Sequence, residues 1–251
     1  MKNVLIMASL AMLAATPDAG ETEQAPAAPL IVHYNLRPPL HYATPQGTLT
    51  GLAAKPVIDA LNAAGIAYEI RQTPAKRQLA LLLQQGAQEP ACMMSWLDAP
   101  GRERFGKFSD MIYQDKRPFA LTWAGNRAMD SEDPLKDTLS NPRLRLLVKE
   151  GISHGLAIDR ALIRYKTAST STSGDTRQML EMLQQHRIDY FFITEEEATE
   201  ALAASGYAAS GFKRIYFSDL SKGYDRHLLC TKTVPDDLLR RFNAALAKQR
   251  R

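Results

Sequence analysis

Apolar and polar positions along this chain switch repeatedly between a spacing near two and a spacing near 3.6, in short stretches broken by Gly and Pro. Leu30–Tyr34 reads as a short apolar strand, followed by a loop over 35–50 with Pro38, Pro39, Gln46 and Gly47 as breakers. Helical spacing then runs to about Ala64, with Pro56 tolerated in the first turn, Val57, Ile58 and Leu61 on one face, and Gly65 as the stop. A strand over Ala67–Ile70 leads to Thr73 and Pro74, read as an N-cap and first-turn proline of a helix whose apolar face covers Leu79–Leu83. Ala91–Ser95 is the next strand and Phe119–Trp123 another. After a polar break over 125–134 the pattern restarts: strand Leu144–Val148, a turn at Gly151, helix His154–Tyr165, and a β-prone polar stretch over Thr167–Gly174. Asp175 caps a helix with Met179, Leu180 and Leu183 on one side. Tyr190–Ile193, Arg214–Phe217 and Arg226–Thr231 read as strands. A last helix starts at Pro235, with Asp236 and Asp237 at its positive end and Leu239, Phe242 and Leu246 facing inward. Such alternation predicts βαβ units around mainly parallel sheets.

The first residues change the picture of where the protein works. Lys2 precedes an apolar run over Val4–Ala15, too short to span a bilayer, and small residues follow. We read 1–24 as an export signal and low-complexity leader, cleaved between Ala15 and Ala28, and the mature protein as soluble, periplasmic and without membrane insertion. What remains is enough for one large domain or two lobes of roughly 100 residues each. The net charge of +4 and pI near 9.0 come from Lys and Arg dispersed among Asp and Glu, without basic runs interleaved with aromatics, which disfavours nucleic acid as a partner. Five scattered histidines give no metal spacing, and no cofactor is expected. Cys92 and Cys230, each in an apolar strand-like run of an exported chain, suggest one disulfide; two buried free thiols are the alternative. If bonded, they close a loop of nearly 140 residues, which chain entropy values at about 4–5 kcal/mol.

The most informative stretch runs from Cys92 to Tyr113. An apolar run ends at Ser95 and Trp96, Pro100 and Gly101 turn the chain toward Arg102, and Phe108, Ser109 and Tyr113 follow at fixed spacing. This resembles the first-lobe signature of the bacterial extracellular solute-binding proteins, family 3. Gly47–Gly51 near the start, Arg187–Tyr190 at a strand entry, and His227–Lys232 through Asn243–Leu246 at the end resemble the family's other pieces in order and spacing. The match covers nearly all of the chain after the leader. It implies a type II periplasmic-binding-protein-like α/β fold with two lobes, a cleft between them, and closure on a ligand. Lobe one would comprise 29–120 with 218–251 and lobe two 121–217, with Phe119–Trp123 as the strand leaving the first lobe.

The resemblance also implies site residues. Arg102 is assigned to a ligand carboxylate, with pairing to Asp98 or Glu103 as the plain alternative. Ser95 and Trp96 stand at a strand's C-terminal end, where α/β sheets present ligand-facing groups; Trp96 either stacks on ligand or packs in the core. Tyr34, Asn35 and Tyr42 flank the first strand–loop junction, where relatives place an aromatic lid. Ser153, in a turn resembling the family's Gly-Thr turn, either binds an anion at a helix start or caps the helix, and His154 beside it is a candidate ligand contact. Thr194 falls where amino-acid-binding members carry an aspartate for the ligand ammonium, so an ordinary amino acid is disfavoured unless Glu195 or Glu196 substitutes; otherwise the glutamates are a solvated helix start. The expected function is a monomeric, non-catalytic protein that captures a small carboxylate-bearing solute and delivers it to an ABC-type permease. A sensor that presents its closed form to a membrane receptor is one alternative. An enzyme on the same scaffold, like periplasmic cyclohexadienyl dehydratases, with Glu195, Glu196 or His154 as the acid, is the other.

Overall fold

The computed structural model describes residues 28–84, 89–99, 101–220 and 222–250; the expected leader lies outside them. In chain order the elements begin with β1 (Leu30–Tyr34), β2 (Tyr42–Ala43), β3 (Leu49–Thr50), α1 (Ala54–Ala63), β4 (Tyr68–Gln72) and α2 (Ala75–Leu83). Then come β5 (Ala91–Leu97), β6 (Gly106–Phe108), β7 (Tyr113–Gln114), β8 (Phe119–Trp123), α3 (Leu135–Leu139), β9 (Leu146–Lys149) and α4 (Leu156–Arg164). The chain finishes with β10 (Ser169–Thr172), α5 (Thr176–Gln184), β11 (Tyr190–Ile193), α6 (Glu195–Ser205), β12 (Phe212–Ile215), β13 (Asp225–Thr231) and α7 (Asp236–Gln249).

The strands form two main sheets, ordered β4-β1-β5-β13-β6, with β7 also on β13, and β10-β9-β11-β8-β12. In the first sheet β4, β1 and β5 are parallel, β13 opposes β5, and β6 and β7 oppose β13 and so run with β5. In the second, β10, β9 and β11 are parallel, β8 opposes β11, and β12 opposes β8. Among the described strands, each sheet therefore has one reversed member, β13 or β8. Those two are where the chain arrives after crossing from the other sheet, through 115–118 on the way out and 216–224 on the way back.

Period-two patterning explains the layers. From β1, Leu30, Val32 and Tyr34 point toward α1 and α7, where Val57, Leu61, Phe242 and Leu246 wait; Ile31 points the other way, toward Leu82 of α2. In the second sheet Phe119, Leu121, Phe191 and Ile193 pack under α5 and α6, while Ala120, Tyr190 and Phe192 face α3 and α4. Burying helices on both faces is what makes each sheet a lobe of its own. Cys92 and Cys230 sit directly opposite each other on β5 and β13 and form a disulfide, which settles the two-thiol alternative.

Some boundaries differ from the reading of the sequence, for local reasons. Thr73 does not cap α2: its hydroxyl lies 2.8 Å from His33 Nδ1, and the helix starts at Ala75 after Pro74. α4 starts at Leu156 because Gly155 adopts φ +90, which no helix residue can. The helix at Asp175 forms as expected, with a reciprocal box in which Asp175 accepts from the Gln178 N–H and Gln178 accepts from the Asp175 N–H.

Candidate functional site

The two sheets meet along the loop after β1, the end of β5, the turn before α4 and the start of α6. Three small cavities of about 30, 20 and 30 Å³ lie there, all bordering Arg37, and a wider mouth of about 360 Å³ lies between Lys76 on one side and Lys149 on the other.

Ser95 is placed by an irregularity in β5. Trp96 pairs with His227 but Met93 pairs with Leu229, so Met94 and Ser95 together face the single residue Leu228. This bulge lets Ser95 adopt φ 63, unusual for a residue with a side chain, and its buried Oγ has no hydrogen-bond partner among the described residues. Strand bulges commonly re-aim a side chain, and this one lines the first cavity. Trp96 is buried, donates from Nε1 to Gln78 Oε1 at 3.0 Å, and carries the Arg102 guanidinium over its ring at 4.9 Å. Arg102 takes neither Asp98 nor Glu103 as partner. Its Nη1 donates to the Leu97 carbonyl at 2.6 Å, and burial pulls its pKa down against the opposing pull of Asp159 and Asp98. A guanidinium whose face is covered by an indole keeps its in-plane donors for something else.

Ser153 and His154 come to the same place from the second sheet, but with their donors committed. Ser153 Oγ donates to Asp159 Oδ2 at 2.5 Å and the His154 N–H donates to Asp159 Oδ1 at 3.0 Å. The group these donors meet at this helix start is a carboxylate of α4 itself. The His154 ring packs on Phe192, and its buried Nε2 has no hydrogen-bond partner among the described residues; burial lowers its pKa to about 4, so it is neutral at pH 7. Two glycines permit the close fit. A Cβ on Gly151 would lie 2.8 Å from the Lys76 backbone nitrogen of the first lobe, and one on Gly155 would strike the Tyr224 ring.

The other expected residues divide. Asn35 borders the first cavity, and its carbonyl accepts from His41 Nδ1. Tyr34 instead lies in the core and donates its hydroxyl to Gln72 at 3.1 Å, because β1 is buried on both faces. Tyr42 lines a separate hollow of about 540 Å³ beside Leu52 and Lys55, so the aromatic lid expected from these two tyrosines is not assembled here. Thr194 is buried and donates from Oγ1 to Glu197 Oε2 at 3.2 Å. Glu195 turns away, accepting from Tyr216 at 3.0 Å.

The reading of the glutamates as a solvated helix start is corrected: Glu196 and Glu197 are buried. Glu196 Oε1 accepts from the Tyr113 hydroxyl at 2.7 Å and the Lys116 N–H at 2.9 Å, next to the outgoing crossing. Glu197 meets Arg37 side-on, Nε to Oε1 at 2.5 Å and Nη2 to Oε2 at 2.8 Å, and the two side chains are 14% and 5% exposed. Burial alone would raise the Glu197 carboxyl; Arg37, with Arg226 and Thr194 behind it, overcomes this and holds it at about 2. A second pair, Arg226 Nε to Asp115 Oδ1 at 2.6 Å, lies wholly inside the first lobe, with Arg226 Nη1 donating to the Ser95 carbonyl at 3.0 Å.

Sequence reasoning missed Arg37, Glu197, Arg226 and Asp115. One signal for Glu197 was present: Thr194 and Glu197 stand at capping-box spacing, the pattern of a carboxylate turned back on its own helix start. Arg37, between a strand end and two prolines, carried no such mark.

No protein-family model matches the chain, and no curated protein does. Solved structures do resemble it. An ancestral arginine-binding protein bound to arginine superposes with TM-score 0.68 at 17% identity, covering 88% of this chain and 92% of that one. The substrate-binding protein of an amino acid ABC transporter gives 0.67 at 15%, covering 89% and 93%. The GluR0 ligand-binding core from Nostoc punctiforme in complex with L-glutamate gives 0.66 at 13%, covering 88% and 93%. The chain has the two-lobed α/β fold of these binding proteins, and the cavities around Arg37 lie between its two lobes.

Proposed function

We propose that this is a non-catalytic solute-binding protein that captures a small carboxylate-bearing solute between its lobes and delivers it, in the periplasm, to an ABC-type permease. The observation that carries the reading is Arg102. It lines the inter-lobe cavity with its face on Trp96 and has no carboxylate partner among the described residues. A guanidinium in that state offers two parallel donors to a carboxylate, worth about 1.5–3 kcal/mol net. Ser95, with its free Oγ beside it, adds a hydroxyl to the same cavity. In this reading 29–118 with 218–251 move as one body and 119–217 as the other, hinged at the two crossings; the sequence-based boundary at 120/121 shifts because the whole of β8 belongs to the second sheet. Arg117 ties those crossings by donating to the carbonyls of Leu220 and Phe217 at 2.6 and 2.5 Å. The resemblance to binding proteins of transporter systems supports the role in delivery.

Native mass spectrometry of the freshly purified protein, followed by calorimetry with a panel of carboxylic acids, tests this. Arg102→Ala is expected to lower affinity at least tenfold, about 1.4 kcal/mol or more, without a change in melting temperature. Unchanged affinity removes Arg102 from the site.

A further inference from the structure

Glu197 already has its cation, and the cation is part of the protein. Arg37 reaches from the loop after β1 across the gap between lobes and grips the carboxylate through two hydrogen bonds, while Thr194 holds the same group from behind. Arg37 borders all three inner cavities, and Glu197 borders two of them. Among the described residues lining those cavities, Glu197 is the sole carboxylate, against Arg37, Arg102, Lys149 and Arg226. Glu197 neutralises Arg37, and Asp115 neutralises Arg226. Arg102 and Lys149 are left with no ion pair to a described residue, so the unbalanced charge facing an incoming solute is positive.

We infer that Arg37 is a resident cation that occupies the one carboxylate among the described residues bordering the three inner cavities, so that the protein selects carboxylates carrying no ammonium group. This rests on the carboxylate-binding reading above and names the class of solute within it. An ammonium entering the cleft must either displace Arg37 from Glu197, stranding a guanidinium away from water, or lie among like charges near Arg102 and Lys149. A carboxylate without an amino group meets neither obstacle. Because the same pair bridges the lobes, it also favours the closed arrangement when no solute is present.

The test is calorimetric titration of the full chain with two matched pairs, succinate against L-aspartate and 2-oxoglutarate against L-glutamate. It is run on the wild type, Arg37→Met, and the double variant Arg37→Met with Glu197→Gln. The wild type is expected to bind the ammonium-free acid of at least one pair tenfold or more tightly than its amino acid. Arg37→Met, which frees Glu197, shifts that ratio at least tenfold toward the amino acid, and the double variant abolishes the shift. A wild-type preference for the amino acids, or a ratio that Arg37→Met leaves unchanged, overturns the inference while carboxylate binding stands. If none of the four acids binds any of the three proteins, the carboxylate reading itself falls. The resident cation is then decided by small-angle scattering without ligand: a larger radius of gyration in Arg37→Met sustains it, and equal radii overturn it. Should Arg37→Met fail to fold, the wild-type ratio and the double variant, which leaves no lone charge, decide the matter.

Discussion

Two guanidinium–carboxylate pairs lie beside the same cavities and do different work. Arg226–Asp115 is sealed within the first lobe, at 3% and 0% exposure, and ties the returning strand β13 to the segment leaving β7. Arg226 borders the cavities between the lobes, but both partners lie on the first-lobe side, so separating the lobes leaves this pair joined. Arg37–Glu197 spans the gap, so separating the lobes returns both groups to water. A buried charge that loses its partner destabilises strongly only if it stays buried. The first pair therefore bears on whether the chain folds, and the second on how far the folded lobes stand apart.

The largest consequence is expected at the inner pair. Arg226→Met should lower unfolding stability by about 3–5 kcal/mol, read as a shift in urea midpoint, because Asp115 cannot reach solvent. Burial already pushes the Asp115 carboxyl above its usual range despite Arg226. A loss below about 1 kcal/mol, the scale of an exposed pair, would show that water reaches the site and erase the contrast.

Acid should act next, through buried imidazoles close to Arg37. Burial lowers His41 to about 3 and His154 to about 4, with Arg37 adding to both. An unfolded imidazole protonates near 6.5, so between that pH and the folded values the unfolded chain binds more protons and stability falls as pH falls. Glu197 adds its own loss lower down, between its unfolded value near 4.3 and about 2. Melting temperature is expected to decline steadily from pH 7 to pH 4, and a flat profile between pH 7 and pH 5 would contradict the sealed imidazoles. The smallest effect belongs to the outer bridge between lobes, Lys76 to Glu150 at 3.2 Å, where the lysine is 78% exposed. Lys76→Ala should change stability by no more than about 1 kcal/mol, with or without salt, and a larger shift would mean that closure depends on the rim as well as on Arg37.

The fold was legible because its determinants are local and periodic. Tyr190–Ile193 is apolar at four successive positions and becomes β11, a strand packed on both faces; Asp175 sits three residues before Gln178 and becomes a capped helix start. Part of the site was legible for a related reason: Ser95, Trp96 and Arg102 lie at the end of one strand, and Ser153 follows another, so the strand order alone brings them to one cavity. The central pair was not. Arg37 and Glu197 stand 160 residues apart, and each has an ordinary local explanation, a loop arginine and the third of three helix-start glutamates. Their meeting is a property of how two lobes face each other, and no spacing along the chain encodes it. The bulge that turns Ser95 is equally silent in sequence, since neither Met94 nor Ser95 is a residue that favours positive φ.

The bond between Cys92 and Cys230 joins the strand that precedes the outward crossing to the strand that follows the return. The whole second lobe is thereby a loop sewn shut at its neck. A protease that nicks the backbone once anywhere between those two sulfurs, even in the middle of the second lobe, produces no separate fragments: the pieces remain one molecule until a reductant reaches the interior of the first.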